Sequence, residues 1–147
     1  MVPERIEREI LIDAPPEVVW SVLTEPGHLA EWFGDSAEID LRPGGDATFV
    51  WEGHPTGHAR IETVEPPQRF SFRWIRRTGA EPREGNSTLV EFDLVAEDGS
   101  TRLRVVESGF RELDWPEDEK RRYFSENEQG WGLELEQLRE YVSSRVR

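Results

Sequence analysis

Glu107 is the residue of this chain whose type and position most clearly invite chemistry. Leu103, Val105 and Glu107 alternate with Arg102 and Arg104, so a strand here would turn the carboxylate inward with two aliphatic side chains. An unpaired carboxylate in apolar surroundings is costly. Glu107 is therefore read in one of two ways. It orients a polar ligand group, or acts as an acid/base with a raised pKa; or it has an arginine partner or a place at the mouth of a cavity, as buried charges usually do. His54 and His58 are four apart, a spacing that would share a helix face and suggest a metal. Pro55 and Gly57 forbid that helix, and no cysteine or zinc-protease motif accompanies the pair, so no metal site is expected. His58 remains a hydrogen-bonder at a pocket rim and, with Glu107, a weak candidate for acid/base work. His28 falls between two short helices and is expected to be solvated.

Other chemistries are excluded by what the chain lacks. With no cysteine there is no disulfide, thiolate nucleophile or thiolate metal site. Lys120 is the only lysine and sits in a charge cluster, unsuited to Schiff-base chemistry. Gly130-Trp131-Gly132 follows no strand, Gly44-Gly45 lacks the lysine and helix start of a phosphate loop, and no serine has a nucleophile elbow. No cofactor is expected. A net charge of −13 opposes nucleic acid, which requires a basic patch able to overcome that field. Met1–Ile12 has no signal-peptide core and no run approaches the ~20 apolar residues of a membrane span. A cytoplasmic protein without a membrane span is the expectation, and Asn86-Ser87-Thr88 is then the polar start of a strand rather than a glycosylation site.

The elements that must position these residues follow from periodicity. Ile6, Ile10 and Ile12 face one way in a first strand, with Arg8 as the exception on that face. Asp13-Ala-Pro-Pro-Glu17 starts a helix striped by Val18, Val19, Val22 and Leu23, Pro26-Gly27 breaks it, and Leu29–Phe33 forms a second short helix. From Ser36 the period becomes two. Ala37/Ile39/Leu41, Phe49/Trp51, Ala59/Ile61, Phe70/Phe72/Trp74, Val90/Phe92/Leu94 and Leu103/Val105 are the apolar rows of six further strands, joined by Gly- and Pro-containing turns. The stretch Thr78 to Gly85 is expected to be a mobile loop. Phe124, Trp131, Leu135, Leu138 and Val142 recur on one face of a long C-terminal helix, which starts in the acidic, solvated run Glu117–Glu119. Gly130 and Gly132, unfavourable in a helix by about 1 kcal/mol each, point to close packing around Trp131.

Strands followed by one long amphipathic helix predict an α+β layer structure: an antiparallel sheet covered by the C-terminal helix, around which it can curve, with two short helices after strand 1, in one domain spanning 1–147. Phe49, Trp51, Ile61, Phe70, Phe72, Trp74, Val90, Phe92, Leu103, Val105 and Glu107 on the sheet converge with Trp131 and Leu135 on the helix. These residues are the expected wall of an apolar cavity, unless the same rings close the space. Trp20 and Trp32 are expected to anchor the small helices, and Trp115 to cap the cavity entrance.

Ile12-Asp-Ala-Pro-Pro-Glu-Val-Val-Trp20, Trp32, Pro43-Gly-Gly45, Gly57 through Pro66-Pro67, Phe72-Arg-Trp74, Ser87-Thr-Leu-Val90, Gly99–Leu103, Glu107-Ser-Gly-Phe110 and Gly130-Trp131, in this order, resemble the group related to the activator of Hsp90 ATPase. That group lies in the START-like (Bet v 1-like, SRPBCC) superfamily. The resemblance implies the helix-grip fold with a hydrophobic cavity between sheet and C-terminal helix, but no single reaction. Three functions follow as expectations. The first is a binding module for a small hydrophobic molecule, a lipid or polyketide-like aromatic, which is favoured over an enzyme. The second is an enzyme using the same cavity for cyclisation, dehydration or hydrolysis. The third is a co-factor of an Hsp90-type chaperone, the weakest because the chain carries only the one domain. A homodimer stands open.

Overall fold

The computed structural model of the protein describes residues 1–76 and 81–145. Its strands are β1 (Arg5–Ile12), β2 (Ser36–Ile39), β3 (Asp46–Val50), β4 (Gly57–Glu65), β5 (Arg69–Ile75), β6 (Thr88–Glu97) and β7 (Ser100–Ser108). Helices α1 (Pro16–Thr24) and α2 (Pro26–Trp32) follow β1, and α3 (Glu117–Arg145) closes the chain. All strands pair antiparallel in one curved sheet, in the order β1-β7-β6-β5-β4-β3-β2. This is the helix-grip arrangement that the sequence predicts.

Local chemistry explains where the elements start and stop. Pro15 and Pro16 open α1, and Pro26 opens α2 three residues before the periodicity suggests, because a proline that ends one helix is pre-organised as the first residue of the next. β2 stops at Ile39, which leaves Leu41 exposed, and β3 stops at Val50, so Trp51 stands beyond the strand it was expected to continue. Pro43-Gly-Gly45 turns between them: a Cβ at Gly45 would collide with the Asp40 carbonyl, and the Gly45 carbonyl accepts from Ile61 N at 2.8 Å. Asp98 and Gly99 both have positive φ, 53° and 85°, as a two-residue hairpin between β6 and β7 demands. Thr78, Gly79 and Ala80 of the expected mobile loop lie outside the described residues. Its remainder is tied down: Asn86 accepts from Arg83 N at 2.8 Å and donates to Glu81 O at 2.9 Å, and Arg60 donates to Pro82 O at 2.7 Å.

The outer face of the sheet carries cross-strand ion pairs, among them Arg104–Glu7 at 2.9 Å, Arg102–Glu9 at 3.1 Å and Arg69–Asp93 at 3.0 Å. Each is worth at most about 1 kcal/mol, but the rows keep this face in water and fix strand register. Arg8, on the inward face, escapes the core at the sheet edge and meets Glu128 of α3 at 3.6 Å.

The inward face is filled. Phe70 stacks on Phe92 with centroids 6.1 Å apart, Phe72 meets Phe49 at 5.6 Å, and Trp131 meets Phe92 edge-on at 5.8 Å. Between Phe49, Phe70, Phe72, Phe92 and the α1–α2 side chains Leu23, Leu29, Trp32 and Phe33 remains a void of only about 10 Å³, room for no more than one water. Ile61, Val90, Leu103, Val105 and Leu135 are buried in this core. The space that the helix grips is therefore closed over most of its depth.

Several positions take other roles than expected. Trp32 is the anchor predicted, donating to Val22 O at 2.9 Å, and Trp20 packs its edge on Phe70 at 6.0 Å. Trp115 caps no cavity; it lies edge-on against Tyr123 at 5.1 Å, because the loop carrying it packs on the first turns of α3. His28 is not free in solvent: its Nδ1 shares a 2.7 Å hydrogen bond with the Tyr141 hydroxyl, pinning α2 to α3. Glu117 is not merely solvated, since it accepts from Val2 N at 2.6 Å. Close packing does not explain Gly130 or Gly132, where an added Cβ would meet nothing within 4 Å.

Candidate functional site

Glu107 does point inward, and it is completely buried. Its Oε2 accepts from Trp74 Nε1 at 2.9 Å, Thr88 Oγ1 at 2.6 Å and Asn127 Nδ2 at 2.8 Å, while Oε1 accepts from Trp131 Nε1 at 2.8 Å. All four donors are neutral. The arginine expected beside it is present at one remove: Arg76 donates to Asn127 Oδ1, so the amide relays a guanidinium to the carboxylate. Nor does Glu107 stand at a cavity mouth. Burial of the carboxyl without a direct counter-ion is tolerated because four hydrogen bonds replace the lost water.

The consequence is geometric. Trp74 ends β5 and Trp131 lies mid-way along α3, and one carboxylate holds both indoles 6.1 Å apart. Phe33, at the C-terminus of α2, stacks on both, 6.0 Å from Trp74 and 5.8 Å from Trp131. Trp51 closes the side, donating to Phe33 O at 2.5 Å and meeting Trp74 at 6.0 Å. Gly57 permits this approach, since a Cβ there would stand 3.2 Å from Trp51 and 3.4 Å from Trp74. Arg76 spans the far wall, 6.0 Å from the Trp74 ring and 5.5 Å from that of Tyr123, with cation–π geometry. Burial, then the Glu107 charge, push the Tyr123 hydroxyl up to about 12.

These walls line a cavity of about 310 Å³, open to solvent on one side, between the β3–β4 turn, the end of β5 and the middle of α3. Its lining is Phe33, Trp51, His54, Trp74, Arg76, Glu126, Asn127, Gln129, Gly130, Trp131, Leu133 and Glu134. Glu134 is the odd member. It is half-buried, its Oε2 is buried with no hydrogen-bond partner, and burial raises its carboxyl to about 8, opposed only in part by the Trp51 indole.

Of the predicted lining residues, Trp51, Trp74 and Trp131 stand on this cavity. Phe49, Phe70, Phe72 and Phe92 border the 10 Å³ void instead, and Ile61, Val90, Leu103, Val105 and Leu135 belong to the packed core. Glu107 lies behind the wall. His58 is on the outer face of β4, opposite Ile75 and Thr48; the rim histidine is His54. Sequence reasoning passed over Asn127 and Glu134, although 127, 131 and 134 share one helix face with the apolar stripe, and Arg76, two residues after Trp74 and so on its side of the sheet. Phe33, at the end of a seven-residue helix, left no periodic signal. Among the described residues no group of three or more His, Asp or Glu side chains is placed to hold a metal.

A profile of the family described as Activator of Hsp90 ATPase homolog 1-like protein matches residues 13–143. The chain belongs to this family. No curated protein sequence matches it. Among solved structures, protein MLL2253 from Mesorhizobium loti superposes with a TM-score of 0.80 at 23% identity, covering 97% of this chain and 99% of that one. DynU16, a putative protein in the dynemicin biosynthetic locus, gives 0.77 at 22% over 97% of this chain and 48% of its own. The Aha1 dimer from Colwellia psychrerythraea gives 0.76 at 21%, over 95% of each chain. At these identities the likeness establishes the fold that the family members share.

Proposed function

We propose that residues 1–147 act as one ligand-binding domain that holds a small, flat, hydrophobic molecule, such as a polyketide-like aromatic, in the cavity walled by Phe33, Trp51, Trp74 and Trp131. The observation that carries this reading is that cavity: about 310 Å³, open to solvent on one side, beside a core packed down to a void of about 10 Å³, with two of its indoles fixed by Glu107. Aromatic walls with a few convergent polar groups suit a drug-sized apolar ligand, and walls already locked by hydrogen bonds lose little entropy on binding. The description of DynU16, a neighbour in fold, as a protein of a biosynthetic locus accords with a small-molecule ligand. Acid/base catalysis by Glu107 or His58 gains no support, the first being saturated with donors and the second facing away. A cytoplasmic location fits, with no helix among the described residues long and apolar enough to cross a membrane.

Native mass spectrometry of freshly purified protein and a thermal-shift screen with planar aromatic ligands test the proposal. A retained small mass, or stabilisation accompanied by quenching of tryptophan emission, is the expected result. No stabilisation by any planar ligand, together with an empty mass spectrum, overturns it. Stimulation of an Hsp90-type ATPase would put the chaperone reading in its place, and sedimentation of the same sample decides between monomer and the dimer seen for the Colwellia relative.

A further inference from the structure

Resting on that reading of the cavity, we infer that its ligand carries an amine, whose ammonium group is received by Glu134 while its flat body lies against Trp51, Trp74 and Trp131. Among the described residues the buried Oε2 of Glu134 has no hydrogen-bond partner, the Trp51 indole being the one group that favours this residue's carboxylate, and a buried polar atom without a partner is rare enough in a native fold to call for one. Glu134 is on the lining of a space walled also by four aromatic rings, whose negative faces attract a cation. The cavity's own cation is not available to it. Arg76 is committed to Asn127 Oδ1 and stacked between Trp74 and Tyr123, and no cation among the described residues contributes to the titration of Glu134.

Charge selects the same class of ligand. The chain carries −13, a field that draws cations and repels anions, and Glu126 is a second carboxylate on the lining, with Arg76 and His54 as the other titratable groups among the described residues. The raised carboxyl, about 8, makes the binding step read out as a proton. Near neutral pH the free site holds Glu134 protonated; an ammonium brought against it favours the carboxylate, and the proton leaves to solvent. Gly130 completes the accommodation: on the same lining, its missing Cβ leaves open space within 4 Å.

The test uses naphthylmethylamine, naphthylmethanol and naphthoate, which share one flat body and differ in the group offered to Glu134, with the full chain and its Glu134→Gln variant. By titration calorimetry near neutral pH, the amine should bind the wild-type protein about ten-fold or more tighter than the alcohol, with naphthoate weakest. Paired titrations in two buffers of different ionisation enthalpy should show proton release with the amine alone. In Glu134→Gln the amine advantage should shrink to about three-fold or less and the proton release vanish, while the alcohol still binds and shows the variant folded. Equal affinities for amine and alcohol in the wild-type protein overturn the amine inference and leave the aromatic cavity standing. Naphthoate binding best overturns it with the opposite polarity. Binding of none of the three to folded protein overturns both.

Discussion

Glu107 and Glu134 both turn a carboxylate inward, but Glu107 has four donors and Glu134 Oε2 has none among the described residues. That difference sets opposite consequences for substitution. Replacing Glu107 with Gln puts an amide NH₂ among four groups that all donate, so at least one indole or the Asn127 amide loses its acceptor. The expected loss is about 2–4 kcal/mol, read by urea unfolding, with a red shift of tryptophan emission as Trp74 and Trp131 are released; a variant within about 0.5 kcal/mol of wild type would mean that the indoles are held by packing alone. For Glu134 the sign reverses. Its folded value of about 8 exceeds the ordinary 4.5, so the folded state holds the proton more tightly, and stability contributed by the protonated form is lost as pH rises from about 4.5 to about 8. Glu134→Gln removes that loss. Thermal melts from about pH 5 to about pH 9 should therefore show the variant gaining on wild type across this window, by on the order of 2 kcal/mol once the partial solvent contact of the carboxyl is discounted. A gap that is constant with pH would refute the assignment.

At the scale of elements, α3 carries the tension between helix stability and an open site. Gly130 and Gly132 weaken its middle, yet neither is required by packing, since a Cβ at either meets nothing within 4 Å. Only Gly130 lines the cavity. Gly130→Ala and Gly132→Ala should each raise stability by up to about 1 kcal/mol, but Gly130→Ala alone should weaken binding of a planar aromatic ligand. Parallel thermal melts and fluorescence titrations compare them, and equal binding by the two variants would show that the space at Gly130 is not used. The same helix shows what was legible in the sequence. Its apolar stripe, and the period-two rows of β3 to β7, identify the helix-grip fold because burial of one face imposes a period. Three cavity indoles, Trp51, Trp74 and Trp131, came from that pattern. Glu107 was legible as inward-facing, but its partners were not, because Trp74, Thr88, Asn127 and Trp131 come from three different elements and their meeting depends on register and helix placement. Asn127 and Glu134 left no mark in the stripe, because a burial period is carried by apolar side chains and is silent on the polar ones between them. Whether the rings met or stood apart was not legible at all, being a matter of side-chain orientation and of ångström-scale distances between sheet and helix.

For the whole molecule, the packing of those rings decides where a ligand can go. A sheet curled around a helix has room for a deep cavity, but here Phe49, Phe70, Phe72 and Phe92 occupy it and leave about 10 Å³, and the 310 Å³ space survives only at one end. Phe72 sits at the centre of the filled part, 5.6 Å from Phe49, 5.7 Å from Phe70, 5.5 Å from Trp74 and 6.2 Å from Phe92. Truncating it to Ala should cost about 3–5 kcal/mol, because transfer and cavity terms add where rigid rings cannot collapse inward. The hole it opens would join the small void and be lined by apolar atoms alone, and such holes stay dry and admit small apolar guests. Phe72→Ala should therefore be stabilised by benzene or xenon in proportion to its occupancy, with wild type unaffected by the same concentrations. Stabilisation of wild type to the same extent would mean that the rings yield to a guest without mutation, and the ligand site would then extend along the whole helix instead of ending at Trp74 and Trp131.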